Sequence, residues 1–216
     1  AMERPLAAKE RKAARAAIMK RRWYHRFRWF STSDGVLVLG GKDASQNEEL
    51  VRRYMEGVDL FVHADVHGAS VVIVKGATGR MDEVAQFAAS FSGAWRSGHF
   101  SADVYAARPA QASKTPESGE SISRGSFVVR GEREYFRDVP LAVAIGLQRE
   151  PEVAVIGGPP SAVSARTDLF VTLVPGTFEP NDMARKLLRV LRDRLGAGGE
   201  GLRGGVSAEA VPALLP

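Results

Sequence analysis

The sequence contains no cysteine among its 216 residues. Disulfides, thiolate catalysis and cysteine-ligated zinc or iron–sulfur sites are therefore excluded. No apolar run approaches the roughly 20 residues that a membrane-spanning helix requires. The start of the chain is rich in Ala, Arg and Lys and lacks the apolar stretch of a secretory signal. These absences predict a soluble, cytoplasmic protein that has no membrane partner.

Acidic residues are scarce in the first thirty positions, which hold ten Lys or Arg and two Glu, a net charge of +8. Because the whole chain carries +5 at pH 7, the remaining residues carry −3. A block of like charge repels itself and attracts a polyanion, although a solvated helix face is the plainer explanation. Residues 1–22 are predicted to form a basic helical arm, either a connector or the end of a coiled coil.

The apolar residues show strand periodicity and helix periodicity in turn, without a repeated βα unit. Strand pairs are predicted at 27–31 with 36–39, 59–66 with 69–75, 127–129 with 134–136 and 141–147 with 153–156, and one more strand at 168–174. Helices are predicted at 80–96, 159–166, 181–195 and 207–215, and one begins after a cap at Asp43 or Ser45. The order favours an α+β fold, with a mixed or antiparallel sheet of hairpins, packed helices and the basic N-terminal helix.

Three segments are expected from this pattern. They are the arm at 1–22, a main domain at 23–150 and a C-terminal α/β extension at 151–216. Residues 108–125 are predicted to be a long polar loop, and loops of that length inside a domain are often functional. Residues 196–206 are glycine-rich and are expected to be flexible.

The segment from Phe61 to Gly68 carries two histidines and an aspartate at alternate positions. On a strand, His63, Asp65 and His67 would share one face, since side chains alternate between faces. That arrangement suits three alternatives: a metal facial triad, a proton-transfer pair, or a polar network that binds a loop or a nucleic-acid backbone. The last is favoured, because no separate cluster completes a metal's coordination sphere.

A glycine turn at residues 40–47 opens the helix that follows. A helix N-terminus binds anions, so a phosphate is one expected occupant. The segment is not a P-loop, since the spacing of that motif is absent. The alternative is an ordinary strand–turn–helix in which Asp43 and Asn47 hold the turn together.

Two further segments combine polar and basic residues. Ser113-Lys114-Thr115 contains the residue types of a nucleophile–base dyad, but Ser, Lys, Gly and Arg in loops are also the usual phosphate-contacting set, which is favoured here. The second, Arg21–Trp29, interleaves aromatics with arginines. Exposed, such rings would stack on unpaired bases. At least two of Trp23, Phe27 and Trp29 are expected to be core instead.

Several of these motifs, in this order, resemble the RNA-binding domain at the C-terminal end of the NFACT family, the ribosome quality-control factors that include NEMF, Caliban and RqcH. The resemblance is strong over residues 20–150 and weaker over 151–216, which are similar to the archaeal form of the extension. The motifs that carry it are Trp23–Phe30, Ser33-Asp-Gly35, Gly40-Gly-Lys-Asp43, Gln46-Asn-Glu48, Val62–Ser70, Ser113-Lys-Thr115, Gly125-Ser-Phe127 and Arg130-Gly131.

The resemblance implies binding to tRNA or rRNA on large ribosomal subunits that carry an obstructed peptidyl-tRNA, with support for template-free tailing of the nascent chain. It implies no cofactor, no metal ligand and no catalytic residue. Gly119-Glu-Ser-Ile122 departs from the family's Gly-Glu-Tyr-Leu, so an aromatic contact is not expected there. The candidate RNA-binding residues are Arg28, Lys42, Asp43, Asn47, His63, Asp65, His67, Ser70, Ser113, Lys114 and Arg130.

The family's N-terminal domain, helix–hairpin–helix and most of its coiled coil have no counterpart in this sequence. Those domains are therefore expected to act in trans or to lie upstream, and tailing is not assigned to this chain alone. Two other functions are kept. One is a metal-dependent RNA-processing enzyme that uses His63, Asp65 and His67, and the other is a module that docks on a ribosomal protein.

Overall fold

A turn of short polar residues closes the first hairpin of the computed structural model, which describes residues 22–115, 121–148, 154–176, 180–195 and 214–216. The Thr32 N–H donates to the Val36 carbonyl at 2.9 Å, and Gly35 supplies the positive φ of 93° that the turn needs. The turn joins β1 (Arg28–Ser31) to β2 (Leu37–Gly40), which pair antiparallel. The first predicted hairpin is confirmed.

Six strands form the main antiparallel sheet, in the order β1-β2-β4-β3-β5-β8. The predicted pairing of the next two strands is confirmed. The bounds of the remaining strands before residue 141 are β3 (Leu60–Ala64), β4 (Val72–Val74), β5 (Ser101–Ala107), β6 (Ala112–Ser113), β7 (Val128–Val129) and β8 (Glu134–Pro140). Strand β5, for which the sequence pattern predicts nothing, lies between β3 and β8.

The predicted pairing of 127–129 with 134–136 is wrong. Strand β7 pairs with β6, and β8 pairs with β5. The Gln111 amide nitrogen donates to the carbonyls of Arg130 and Glu132, at 2.8 and 2.6 Å, and so holds the chain on either side of Gly131 away from a hairpin. The seven-residue β8 also finds a longer partner in β5 than β7 offers.

A second antiparallel sheet has the order β10-β9-β11, with bounds β9 (Val143–Gln148), β10 (Ala154–Gly158) and β11 (Phe170–Leu173). The predicted hairpin and the strand at 168–174 are confirmed. Strands β9 and β10 lie on opposite sides of the predicted boundary at residue 150, so this sheet uses both predicted segments.

The helices have the bounds α1 (Ala44–Glu49), α2 (Met81–Ser90), α3 (Gly93–Arg96), α4 (Pro160–Ser164) and α5 (Pro180–Leu195), and a π-helical turn, Leu50–Tyr54, extends α1. One helix over 80–96 is a wrong prediction. The Ser92 hydroxyl donates to the Ala89 carbonyl and accepts from the Ala94 N–H, so Ser92 caps a second helix. Apart from Arg22, the predicted arm at 1–22 lies outside the described residues, as does the glycine-rich segment at 196–206. Of the helix predicted at 207–215, only Leu214 and Leu215 are described. No helix within the described ranges is long and apolar enough to cross a membrane.

Both faces of the main sheet are buried, because neighbouring residues of each strand enter different cores. Val62 and Val72 pack with α2 on one face, whereas Phe61 and Ile73 pack on the other, against the aromatic segment that precedes β1. Each large apolar side chain buried in this way contributes about 1.5–3 kcal/mol. Leu187 of α5 also joins the α2 core, so the C-terminal residues belong to the same packing unit.

Candidate nucleic-acid interface

A cavity of about 430 Å³ lies on the face of the sheet opposite α2. Its walls are the turn before α1, the loop after β3 and the segment before β7. The cavity brings together six of the eleven candidate residues, which are Lys42, Asp43, Asn47, His63, His67 and Ser70.

The turn at one wall is held by its own side chains. The Asp43 carboxylate caps α1 by accepting from the Gln46 N–H at 2.8 Å, so Asp43, and not Ser45, is the N-cap. The Asn47 amide oxygen accepts from the Val71 N–H at 3.2 Å and joins the turn to the segment before β4. Both residues therefore hold the turn together, as the plainer alternative predicts, while they also line the cavity.

Of the three residues predicted to share one strand face, His63 alone lies within a strand. Strand β3 ends at Ala64, although the Asp65 N–H continues the β3–β5 pairing by donating to the Asp103 carbonyl at 2.7 Å. His67 is exposed in the turn before Gly68, whose φ is +75°. The predicted strand face therefore does not extend to His67. In the part of the chain that the structure describes, no group of three His, Asp or Glu side chains could hold a metal ion.

His63 lies between two aromatic rings. Its ring centroid is 6.3 Å from that of Phe61 and 5.8 Å from that of Tyr105. Burial lowers the pKa of His63 from its ordinary value of 6.5. Its neutral imidazole can donate or accept a hydrogen bond at the cavity wall.

This burial predicts a loss of stability in acid. The unfolded chain binds a proton at His63 below about pH 6.5, whereas the folded chain binds it only at lower pH. The contribution of neutral His63 to the free energy of unfolding is therefore full above pH 6.5 and is lost as the pH falls below that value. Between pH 7.5 and 5.5, the free energy of unfolding should fall more in the wild type than in His63→Gln, measured by urea titration. His99→Gln replaces an exposed histidine, and its free energy of unfolding should fall by as much as that of the wild type. Equal losses in wild type and His63→Gln would contradict the prediction.

Arg28 lies behind the cavity wall. Its guanidinium donates to the Gly41 carbonyl at 2.9 Å and to the Ser70 hydroxyl at 3.3 Å, and it lies 5.0 Å from the Phe91 ring centroid. Burial, with the nearby Arg96 charge, lowers the pKa of Arg28. Arg28 therefore braces the turn from beneath and positions Ser70.

Ser113 and Lys114 are engaged separately and do not form a dyad. The Ser113 hydroxyl accepts from the Thr115 N–H at 2.9 Å, while the Lys114 ammonium donates to Glu48 Oε1 at 2.6 Å. Glu48 Oε1 also accepts from the Gly125 N–H at 3.0 Å, and its hydrogen bonds from Lys114 and Gly125 lower its pKa. Glu48 thus fastens the segment before β7 to α1.

Arg130 is exposed at the end of β7. Its guanidinium donates to the Thr115 carbonyl at 2.9 Å, so it lies beside the Ser113–Thr115 segment and does not line the cavity. Asp65, Ser113 and Lys114 do not line it either.

Three cavity residues are not among the eleven candidates. They are Tyr105, Arg124 and Phe127, of which Phe127 belongs to the Gly125-Ser-Phe127 motif. Gly125 brings Arg124 close to α1, because a Cβ at Gly125 would lie 2.4 Å from Ala44 Cα and its φ is +79°. The Arg-Gly pair before Phe127 was a signal that could have found Arg124, whereas nothing local marked Tyr105.

The aromatic segment before β1 is mostly packed. Phe27 is buried and Trp29 is half-buried, so the expectation of at least two core positions fits them. Trp23 is 49% exposed, and its ring stacks on Tyr54 with centroids 4.5 Å apart. One face of that indole is therefore already covered, and none of the three rings lines the cavity.

Several known proteins are similar to this chain in sequence. The model of the NFACT protein RNA binding domain matches residues 26–131. The Archaeal Rqc2 homolog aRqcH of Methanocaldococcus jannaschii is 36% identical over 180 residues, which are 81% of this chain and 27% of the relative. The Ribosome quality control complex subunit NEMF homolog of Drosophila melanogaster is 37% identical over 131 residues, 58% of this chain and 13% of that protein.

A fungal relative, Ribosome quality control complex subunit 2 of Schizosaccharomyces pombe, is 33% identical over 132 residues, 58% of this chain and 13% of the relative. The C-terminal of the fibronectin/fibrinogen-binding protein from Streptococcus suis aligns at TM-score 0.45 and 24% identity, over 59% of this chain and 49% of that one. The chain spans about a quarter or less of the three curated relatives' lengths. The archaeal match is the longest of the three, which fits the archaeal-like character expected of residues 151–216.

Proposed function

This chain belongs to the NFACT family, and its residues 26–131 match the family's RNA-binding domain. We therefore propose that it binds tRNA or rRNA on obstructed large ribosomal subunits. The relatives named above are ribosome quality-control proteins. Action at cytoplasmic ribosomes, together with the N-terminal family domains in trans or upstream, is part of the proposal.

The observation that carries the proposal is that motifs far apart in the sequence line one cavity in the fold. Lys42 and Arg124 lie at its wall, and the exposed Arg130 lies nearby, beside the Ser113–Thr115 segment. Cationic and small polar groups on loops are the usual contacts to phosphate and sugar. The chain is therefore proposed to bind the RNA backbone first, with the basic arm adding affinity that does not depend on sequence.

We propose no catalytic role for this chain by itself. The enzyme alternative required His63, Asp65 and His67 on one strand face, and His67 instead lies in the turn after the strand. The dyad alternative required a free Lys114 ammonium beside Ser113, and Glu48 holds that ammonium. The ribosomal-protein docking alternative has no feature in its favour among the residues that the structure describes, and it remains an outcome of the test.

The test is binding of labelled tRNA by fluorescence anisotropy across a salt series. For four to six phosphate contacts, the slope of log K against log salt should be about −3 to −5. Lys42→Ala/Arg124→Ala should bind about tenfold or more weakly at 0.1 M salt and reduce the slope by about 1.5 in magnitude. Each variant is checked for an unchanged unfolding midpoint.

The matched control is Arg52→Ala/Arg189→Ala, which removes two exposed cations that do not line the cavity. Its affinity should stay within about twofold, because neither side chain lines the cavity. Absence of tRNA binding at low salt would overturn the proposal. Ribosome binding that resists both nuclease and high salt would favour the docking module instead.

A further inference from the structure

A row of aromatic rings crosses three neighbouring strands on the cavity side of the sheet. His63 of β3 is paired with Tyr105 of β5, and Tyr105 is paired with Tyr135 of β8. Directly paired residues of antiparallel strands project to the same face. The ring centroids accordingly lie 5.8 and 5.9 Å apart along the row. The row runs from the cavity to β8, the last strand of the main sheet.

The inner end of the row is enclosed. His63 and Tyr105 line the cavity together with Phe61 and Phe127, whose ring centroids are 6.1 Å apart. Four aromatic side chains thus contribute to one concave surface, and Lys42 and Arg124 line the same cavity. A volume of about 430 Å³ falls in the usual range of roughly 300–1,000 Å³ for small-molecule sites, which is the size class of a single nucleotide.

The outer end of the row is open and cationic. Tyr135 is 39% exposed, and the Arg137 guanidinium carbon lies 4.1 Å from its ring centroid. The Arg133 guanidinium carbon lies 4.7 Å from the Tyr105 ring centroid in the same manner. Asp103 holds Arg137 in place through a 2.5 Å ion pair. Each of the two tyrosine rings therefore has a guanidinium beside it.

Rings paired with cations, at an open cavity and at the neighbouring sheet edge, suit unpaired nucleotides. Successive bases stack on aromatic rings, while guanidinium and ammonium groups neutralise the phosphates between them. Paired bases inside a duplex cannot present a ring face to a side chain. The carboxylates of Asp43 and Asp65 lie in this region and oppose phosphate, but they can accept hydrogen bonds from the amino groups of a base.

We propose that the cavity receives one unpaired nucleotide of a single-stranded RNA segment and that a neighbouring base stacks on Tyr135 at the sheet edge. The proposal rests on the RNA-binding function proposed above and narrows it to single-stranded RNA. The phosphate between the two bases then passes the guanidinium groups of Arg133 and Arg137. Backbone contacts at Lys42 and Arg124 complete the binding of the enclosed nucleotide.

The test compares three RNAs of one sequence, about 12 nucleotides long, a length within the roughly 4–16 nucleotides that single-strand sites span. They are a single strand with a central 2-aminopurine, the same strand with an abasic central position, and the blunt duplex. The full chain should bind the single strand about tenfold or more tightly than the duplex at equal salt. The abasic strand should bind about fivefold or more weakly than the intact one, and binding should change the 2-aminopurine fluorescence.

The decisive variant is Tyr135→Ala, which removes a partly exposed ring and leaves the buried core intact. It should weaken single-strand binding about fivefold or more, whereas Tyr135→Phe keeps the ring and should bind within about twofold of the wild type. Phe100→Ala is the matched control, because Phe100 is 77% exposed and precedes β5 at the end of the β5–β8 pair away from Tyr135.

The outcomes separate this proposal from the broader one. Equal affinity for single strand and duplex, with no effect of the abasic position or of Tyr135→Ala, would overturn the unpaired-nucleotide site while RNA binding stands. Failure to bind any of these RNAs or tRNA at low salt would overturn both proposals.

Discussion

Gly41→Ala is expected to lower the free energy of unfolding by about 2–4 kcal/mol and to weaken RNA binding at the same time. A Cβ at Gly41 would lie 2.0 Å from Asn47 Oδ1 and 2.9 Å from the Asn47 backbone nitrogen. Because Asn47 also accepts from the Val71 N–H, the clash would displace the turn from the segment before β4. The measurement is urea denaturation, followed by tRNA anisotropy under conditions in which the variant is folded.

Gly57→Ala is the matched control for this effect. No heavy atom lies within 4 Å of a Cβ at Gly57, and its φ is outside the left-handed region. The alanine there should leave stability unchanged or raise it by about 0.4–1 kcal/mol, because it restricts the unfolded chain. Equal effects of the two substitutions on the free energy of unfolding would show that the turn tolerates a Cβ at Gly41, despite its close approach to Asn47.

Phe61→Ala is expected to cost about 3–5 kcal/mol, a large fraction of the roughly 5–15 kcal/mol that stabilises an ordinary domain. Phe61 is 1% exposed and packs in the core on the cavity face of the sheet. Its loss removes the apolar contacts of a whole ring and joins the resulting void to the cavity. The urea midpoint should fall with little change in the m-value.

Phe100→Ala removes the same side chain from a position that is 77% exposed. Its free energy of unfolding should stay within about 0.5 kcal/mol of the wild type. A loss at Phe61 no larger than the loss at Phe100 would contradict the assignment of Phe61 to the core. Comparing Phe61→Ala with Phe100→Ala therefore separates the effect of ring burial on stability from the effect of replacing Phe by Ala.

Much of the fold was predictable where the signal was local. The hairpin at Ser33–Gly35, the β9–β10 pair and α5 each have their periodicity and turn residues within one short segment. Strand β5 was not predictable in this way. It contains Ala102, Ala106 and Ala107, which have weak strand propensity, and it is a strand because β3 and β8 pair with it on either side.

The candidate site was likewise only partly predictable from local motifs. Motif order and the resemblance supplied Lys42, His63 and Ser70, which the fold brings to one cavity. Asp65 and Lys114 were predicted in the same way, yet they lie outside its lining, because a turn follows Ala64 and because Glu48 holds the Lys114 ammonium. Whether each of these residues contacts RNA stays a prediction for the binding experiments.

The sequence by itself determined the charge distribution, the absence of cysteine chemistry, the α+β class and the family, because each depends on composition or on motifs within short segments. Only the tertiary structure decided that Glu48 fastens the segment before β7 and that His63, Tyr105 and Tyr135 form one row. Those contacts join residues 42 positions apart in the His63–Tyr105 pair, 30 in the Tyr105–Tyr135 pair and 66 in the Glu48–Lys114 pair. Sheet register and loop closure set them, and no local pattern in the chain encodes either.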